Sequence, residues 1–197
     1  MSVVHESNGA SVVPAGKWSV DASRSSVTFA LKHMMLATVK GHFREFDGIL
    51  EVGSGAPRAT GVVKAASIDT NEPVRDGHLR HSPDFFDVER CPEISFNSTR
   101  IDYLDGGRLR ILGELTMRGV TVEIELDGQL NDTTRVTGDK GRIELELRGV
   151  LNRRDFGLTW NQALETGGAL LGNKVKIALE ISAVRSEVAA TRKMGVK

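Results

Sequence analysis

The residues best suited to chemistry in this sequence are histidines that lie within or beside one irregular segment, residues 71–90. His78 and His81 are three positions apart in this segment, and His33 comes from an earlier part of the chain. An i, i+3 pair of imidazoles can ligate zinc when a third ligand joins it. A histidine-based metal-binding protein or enzyme is therefore one hypothesis, and the alternative is that these histidines are structural or solvated.

Arginines form a second candidate set. Arg75 stands in the same segment, and Arg153 and Arg154 open another irregular stretch. An arginine fork binds phosphate or carboxylate oxygens bidentately, and loops at the mouth of a barrel commonly carry binding groups. On a helix Arg75 and His78 share one face, so we expect both side chains to point at the protein interior. The alternative is that the arginines are solvated surface charges.

Motifs for nucleophilic catalysis are missing from the sequence. It has no Gly-x-Ser-x-Gly elbow and no glycine-rich phosphate loop between a strand and a helix. Its single cysteine, Cys91, can form neither an intramolecular disulfide nor a thiolate-rich metal site. We therefore expect that the protein is not an enzyme and has no cofactor.

Strict alternation of apolar and polar residues indicates the elements that must position these side chains. It runs through residues 120–130, 142–151 and 174–181. A period of two places one set of side chains on each face of a strand, and one dry face is typical of antiparallel sheet. Weaker patterns predict further strands at Lys17–Asp21, Ser26–His33, Thr38–Phe43, Asp47–Val52, Thr60–Ile68, Glu93–Tyr103 and Arg108–Leu115.

The predicted strands are short and closely spaced, with turn residues between them, which is typical of a barrel or a sandwich. Closure removes exposed sheet edges, so we predict an all-β barrel. Residues 71–90 lack alternation. Asn71 is a candidate cap for a short helix entered through Pro73, and Ser82 for a second one entered through Pro83.

Six of the seven phenylalanines fall in the first half of the chain. These rings either fill a solid core or line a cavity, because an eight-stranded barrel is wide enough for packed side chains or for one small ligand. The six are Phe29, Phe43, Phe46, Phe85, Phe86 and Phe96.

The composition of the chain limits where the protein can reside and which partners it can bind. Lys plus Arg equals Asp plus Glu, at 26 each, so the chain has no overall field to attract nucleic acid. No run approaches the roughly 18 apolar residues of a membrane span, and the start lacks the apolar run of a secretory signal. We expect a cytoplasmic protein that does not insert into membranes, with flexible ends at residues 1–16 and 185–197 and one barrel domain at 17–184.

Four stretches of the chain resemble the YceI-like family, the polyisoprenoid-binding proteins with a lipocalin-like barrel. Two of them are WSVDASRSSVTFALKHMMLATVKGHFREFDG from Trp18 and SIDTNEPVRDGHLRHSPDFFDVERCPEISFNST from Ser67. The others are GELTMRGVTVEIEL from Gly113 and NRRDFGLTWNQALETGGALLGNKVKIALEI from Asn152. Together they cover nearly the whole predicted domain.

The resemblance implies an eight-stranded antiparallel barrel, with a short helical crossover, that holds an isoprenoid chain in its interior. The protein would then be a carrier or a sequestering protein whose partner is a hydrophobic small molecule, and the resemblance also favours a homodimer. The residues that would line the site or brace its mouth are Phe29, Leu31, His33, Phe43, Arg75, His78, Phe85, Phe86, Phe96 and Arg154.

Overall fold

The computed structural model describes residues 13–34, 37–131, 141–161 and 170–186. Within them lie eleven strands and one α-helix, α1, at Pro73–His81. The strands are β1 Gly16–Val20, β2 Ser26–His33, β3 Ala37–Phe43, β4 Phe46–Val52, β5 Arg58–Lys64, β6 Ile68–Asp69, β7 Glu93–Tyr103, β8 Arg108–Met117, β9 Val120–Asn131, β10 Arg142–Asn152 and β11 Leu171–Arg185.

Eight of these strands close into an antiparallel barrel in the order β1-β4-β5-β7-β8-β9-β10-β11, and β11 pairs back onto β1. The remaining three extend the wall at one end, because β11 also pairs with β2, β2 with β3, and β3 with β6. All of these pairings are antiparallel. The predicted all-β, eight-stranded barrel is confirmed.

Short kinks explain why eleven strands make an eight-stranded barrel. β1 and β2 are two parts of one bent ribbon, interrupted by a 3₁₀ turn at Ala22–Arg24, and both pair with β11. β5 and β6 are likewise separated by a 3₁₀ turn at Ala65–Ser67. The single predicted strand from residue 60 to 68 is therefore wrong at this point, since alternation alone does not register such a kink. The third break, at residues 44–45, separates β3, which pairs with β2, from β4, which pairs with β1.

The helical crossover contains one helix, and its start differs from the prediction. Glu72 is the N-cap, and its side chain accepts hydrogen bonds from the backbone N–H groups of Val74 and Arg75. Asn71, the predicted cap, instead has a left-handed backbone with φ 60°. Turns occupy residues 83–86, where Ser82 was expected to cap a second helix.

Two packed clusters close the barrel at its opposite ends. At one end Trp18, which is 0% exposed, packs with apolar residues from the start of β8 and β10 and the end of β9. At the other end Phe156 and Leu158 pack against Met117 and Phe86, and the backbone N–H of Phe86 donates to the Leu79 carbonyl of α1. The interior between the two clusters is the candidate site.

The predicted tails lie mainly outside the described residues. Within their described parts Val13 is buried in the core that contains Trp18, Gly16 begins β1, and Arg185 ends β11. In the described part of the chain, no helix is long and apolar enough to cross a membrane.

Candidate ligand cavity

A cavity of about 490 Å³ runs through the interior of the barrel. This volume falls within the roughly 300–1,000 Å³ of small-molecule sites. Nearly all of its lining is aliphatic or aromatic, and it includes Leu31 and Ile177 from the middle of β2 and β11. Both residues point inward yet keep part of their surface accessible, which is the signature of a hollow interior.

Aromatic rings form a connected wall on one side of the cavity. The Phe43 ring lies 5.6 Å from the ring of Phe29 and 5.9 Å from that of Phe86, centroid to centroid. These separations are typical of favourable aromatic pairs. Phe96 lines the cavity from β7. The sequence left open whether the phenylalanines pack as a core or line a cavity. In the structure they pack with one another and also line the cavity.

Inward glycines let large rings lie flat against the wall. A Cβ atom added to Gly113 would meet Cε2 of Phe96 at 2.6 Å and the backbone oxygen of Asn97 at 2.7 Å. One added to Gly41 would meet Cε1 of Phe29 at 2.8 Å. Each glycine thus provides room that a side chain would otherwise take from the cavity.

The α1 end of the cavity carries its aromatic–imidazole contacts. His78 lies with its ring edge-on to Phe85 at 5.2 Å and to Trp160 at 6.3 Å, and the two aromatic rings are 5.4 Å apart. All three residues line the cavity, as does His33 at the end of β2. Apolar and polar groups therefore meet at this end.

Arg75 also lines the cavity, with its guanidinium held in place by Thr70. Its Nε donates to the Thr70 hydroxyl at 2.8 Å, and its Nη2 donates to the Thr70 carbonyl at 2.9 Å. The buried carboxylate of Asp76 accepts from the backbone N–H and the hydroxyl of the same threonine, at 3.0 and 2.5 Å. Thr70 thus fixes the position of α1 relative to β6.

Nine of the ten residues named from the sequence line this cavity. Arg154 does not, because the short 3₁₀ helix Arg153–Phe156 turns its side chain to the exposed surface. The inward position belongs to Arg153, which is 5% exposed. Burial, and secondarily the charge of Arg154, lower the pKa of the Arg153 guanidinium.

Sequence reasoning missed Thr70 and Trp160, and it chose the wrong member of the Arg153–Arg154 pair. Nothing in the sequence marks Thr70. A tryptophan in an irregular stretch is a usable signal, because indole rings are rarely left unpacked.

The histidines do not assemble a metal site within the described residues. No group of three or more His, Cys, Asp or Glu side chains that could hold a metal ion occurs there. His81 lies on the exposed side of α1, with Nδ1 3.9 Å from a carboxylate oxygen of Glu89, whereas His33 and His78 line the cavity. The arrangement gives no support to the histidine-based hypothesis.

These features define a closed, up-and-down antiparallel barrel that encloses an apolar space, the class of protein that binds hydrophobic ligands. Comparison with known proteins gives the particular family. The model of the YceI-like domain matches residues 18–183, and the chain belongs to this family.

Relatives and solved structures agree with this assignment. A UPF0312 protein of Staphylococcus aureus is 33% identical over 163 residues, covering 81% of this chain and 92% of the relative. The Campylobacter jejuni YceI protein is 26% identical, with a TM-score of 0.68 and coverage of 79% and 90%. A polyisoprenoid-binding domain from Saccharophagus degradans shares the fold at 15% identity, with a TM-score of 0.61 and coverage of 86% and 98%.

Proposed function

We propose that this protein binds a long-chain isoprenoid, or a similar amphiphilic lipid, inside the barrel as a carrier or sequestering protein. The observation that carries the proposal is the apolar cavity of about 490 Å³ between the two packed ends. The shared fold with a domain described as polyisoprenoid-binding supports the choice of ligand class.

Apolar burial supplies the driving force for such binding. Each 100 Å² of apolar surface removed from water contributes about 2.5 kcal/mol. Apolar side chains line the cavity almost everywhere, and its two arginines, Arg75 and Arg153, belong to elements at the α1 end. A ligand with a long apolar chain and one polar head matches this distribution.

Binding without transformation is part of the proposal. His78 packs edge-on against two aromatic rings, and Arg75 is bonded to Thr70. Both contacts fit roles in shape and placement. The cytoplasmic location, the homodimer, and the lack of nucleic-acid binding and of a cofactor stay predictions.

Native mass spectrometry of the purified protein, with organic extraction of a parallel sample, tests the proposal. We expect an additional mass that extraction releases and that has the repeating five-carbon composition of an isoprenoid. Titration with geranylgeraniol gives the same test for protein purified without lipid. A protein that carries no lipid and that geranylgeraniol does not bind would refute the proposal.

Val39 and Thr38 provide a matched pair of variants. The two side chains have nearly the same shape, but Val39 faces the cavity, whereas Thr38 is exposed and outside its lining. We expect Val39→Trp to weaken geranylgeraniol binding at least about tenfold, roughly 1.4 kcal/mol, because the indole occupies ligand space. Thr38→Trp should bind like the parent, and equal affinities for the two variants would contradict the assigned site.

A further inference from the structure

Arg153 is buried in the cavity wall, and one of its nitrogens has no partner within the described part of the chain. Its Nε donates to the carbonyl of Gly172 at 3.0 Å, and its Nη1 donates to the carbonyls of Trp160, at 2.8 Å, and Leu158. Nη2 is buried and has no hydrogen-bond partner among the described residues. An unpaired buried donor costs about 1–3 kcal/mol, so this nitrogen would gain from an acceptor.

The charge on Arg153 also has no counter-charge among the described residues. Its three acceptors are all neutral carbonyl oxygens, and no carboxylate within the described residues forms an ion pair with it. The neighbouring charge is that of Arg154, which is of the same sign. A buried cation in an apolar wall is stabilised most by an anion.

We propose that Nη2 of Arg153 binds the head group of the ligand, and that this head group is an anionic oxygen group, a phosphate or a carboxylate. The inference rests on the proposed function and adds the chemistry of the head. Two nitrogens of Arg153 are already fixed by backbone carbonyls, so the guanidinium is preorganised for the third bond. Nη2 is shielded from solvent, so the head group reaches it by displacing the side chains around it.

Ligands that share one chain and differ only in the head test this proposal. Binding of geranylgeranyl phosphate, geranylgeranoic acid and geranylgeraniol to the full chain is measured by titration at neutral pH. We expect at least one of the two anionic lipids to bind about 10- to 150-fold more tightly than the alcohol, the range of a charge-assisted hydrogen bond. Which anion is preferred distinguishes phosphate from carboxylate.

Arg153→Gln and Arg154→Gln remove the same charge from neighbouring positions and are therefore matched. Arg153→Gln should abolish the preference for the anion, because it removes the charge and Nη2 together. The preference is compared among the three lipids within the variant, so that the loss of the bonds from Arg153 to backbone carbonyls affects all three alike. Arg154→Gln should retain the preference, because its side chain is exposed and outside the cavity.

Arg153→Lys is the second variant, to be used if Arg153→Gln does not fold. It keeps the positive charge but lacks the planar guanidinium. It should lose most of the preference. Arg75→Gln, the other arginine of the lining, should keep it. Two results would overturn the inference. In the first, the parent protein binds the alcohol and both anions equally tightly. In the second, the preference for the anion is lost in Arg75→Gln but kept in the Arg153 variants. Either result leaves the proposed function intact, whereas failure of all three lipids to bind refutes that function itself.

Discussion

Gly113→Ala is expected to destabilise the barrel, although alanine normally suits a strand better than glycine. The new methyl group would lie 2.6 Å from Cε2 of Phe96 and 2.7 Å from the backbone oxygen of Asn97. Real Cβ atoms do not approach other atoms this closely, so both the ring and the neighbouring strand must move. The open space next to the Phe96 ring is the cavity that it lines, so we expect the ring to move in that direction.

Overpacking of this kind costs about 1–3 kcal/mol. For a chain of this length each kcal/mol lowers the melting temperature by about 2–4 °C, so we expect a drop of about 2–12 °C. Urea unfolding, followed by circular dichroism, gives the free energy of unfolding directly. Binding of geranylgeraniol should weaken in parallel, because the displaced ring narrows the cavity.

Gly61→Ala is the control, because a Cβ atom there would meet its nearest neighbour, the backbone oxygen of Asp47, at 3.6 Å. It should be neutral or stabilising by about 0.4–1 kcal/mol through the unfolded state. A double-mutant cycle with Phe96→Ala should show coupling of about 0.5–3 kcal/mol, because removing the ring relieves one of the two clashes. A Gly113→Ala protein as stable as the parent would refute the reasoning.

Two further predictions concern stability near α1. The backbone N–H of Asn71 has the largest effect on the pKa of Asp69, and the Arg44 guanidinium the next largest; both hold this pKa below its ordinary value of 3.8. The ionised Asp69 carboxylate therefore stabilises the fold above about pH 4, and this contribution is lost as pH falls through the lowered pKa. We expect the difference in the free energy of unfolding between the parent and Asp69→Asn, measured from pH 7 to pH 2, to shrink below pH 4. A difference that stays constant over this range would contradict the assignment. Asp76→Ala should cost about 1–3 kcal/mol in urea unfolding, because it leaves the Thr70 N–H and hydroxyl without their acceptor; a change below about 0.5 kcal/mol would show that water replaces the carboxylate.

Much of the fold could be predicted from the sequence, because the strands that carry it alternate strictly. Val122, Ile124 and Leu126 share one face of β9. Ile124 and Leu126 line the cavity, and Val122 packs against the cluster that contains Phe156. The kink at Ala65–Ser67 could not be predicted, since there the Ser67 hydroxyl accepts a hydrogen bond from the backbone N–H of Glu45, 22 residues earlier in the chain. Local pattern contains no information about such partners.

The lining of the site was predicted more fully than its polar groups. Residues such as Phe29 and Leu31 follow from the family resemblance. The choice between Arg153 and Arg154 depends on a single 3₁₀ turn, which reverses the two side chains. A shift of one residue in a short turn exchanges a buried group for an exposed one, and sequence boundaries are not accurate to one residue.

The crossover corner of the barrel has a consequence for how fast a ligand can leave. β6 has two residues and, among the described strands, pairs only with β3, and the helix that follows it is anchored largely through Thr70. The opposite corner consists of strands of ten to twelve residues that pair along most of their length. Amide protons of α1 should therefore exchange with solvent through local openings that leave β8–β10 intact. On the proposed function, the frequency of those openings, and not that of global unfolding, should set the residence time of a bound lipid.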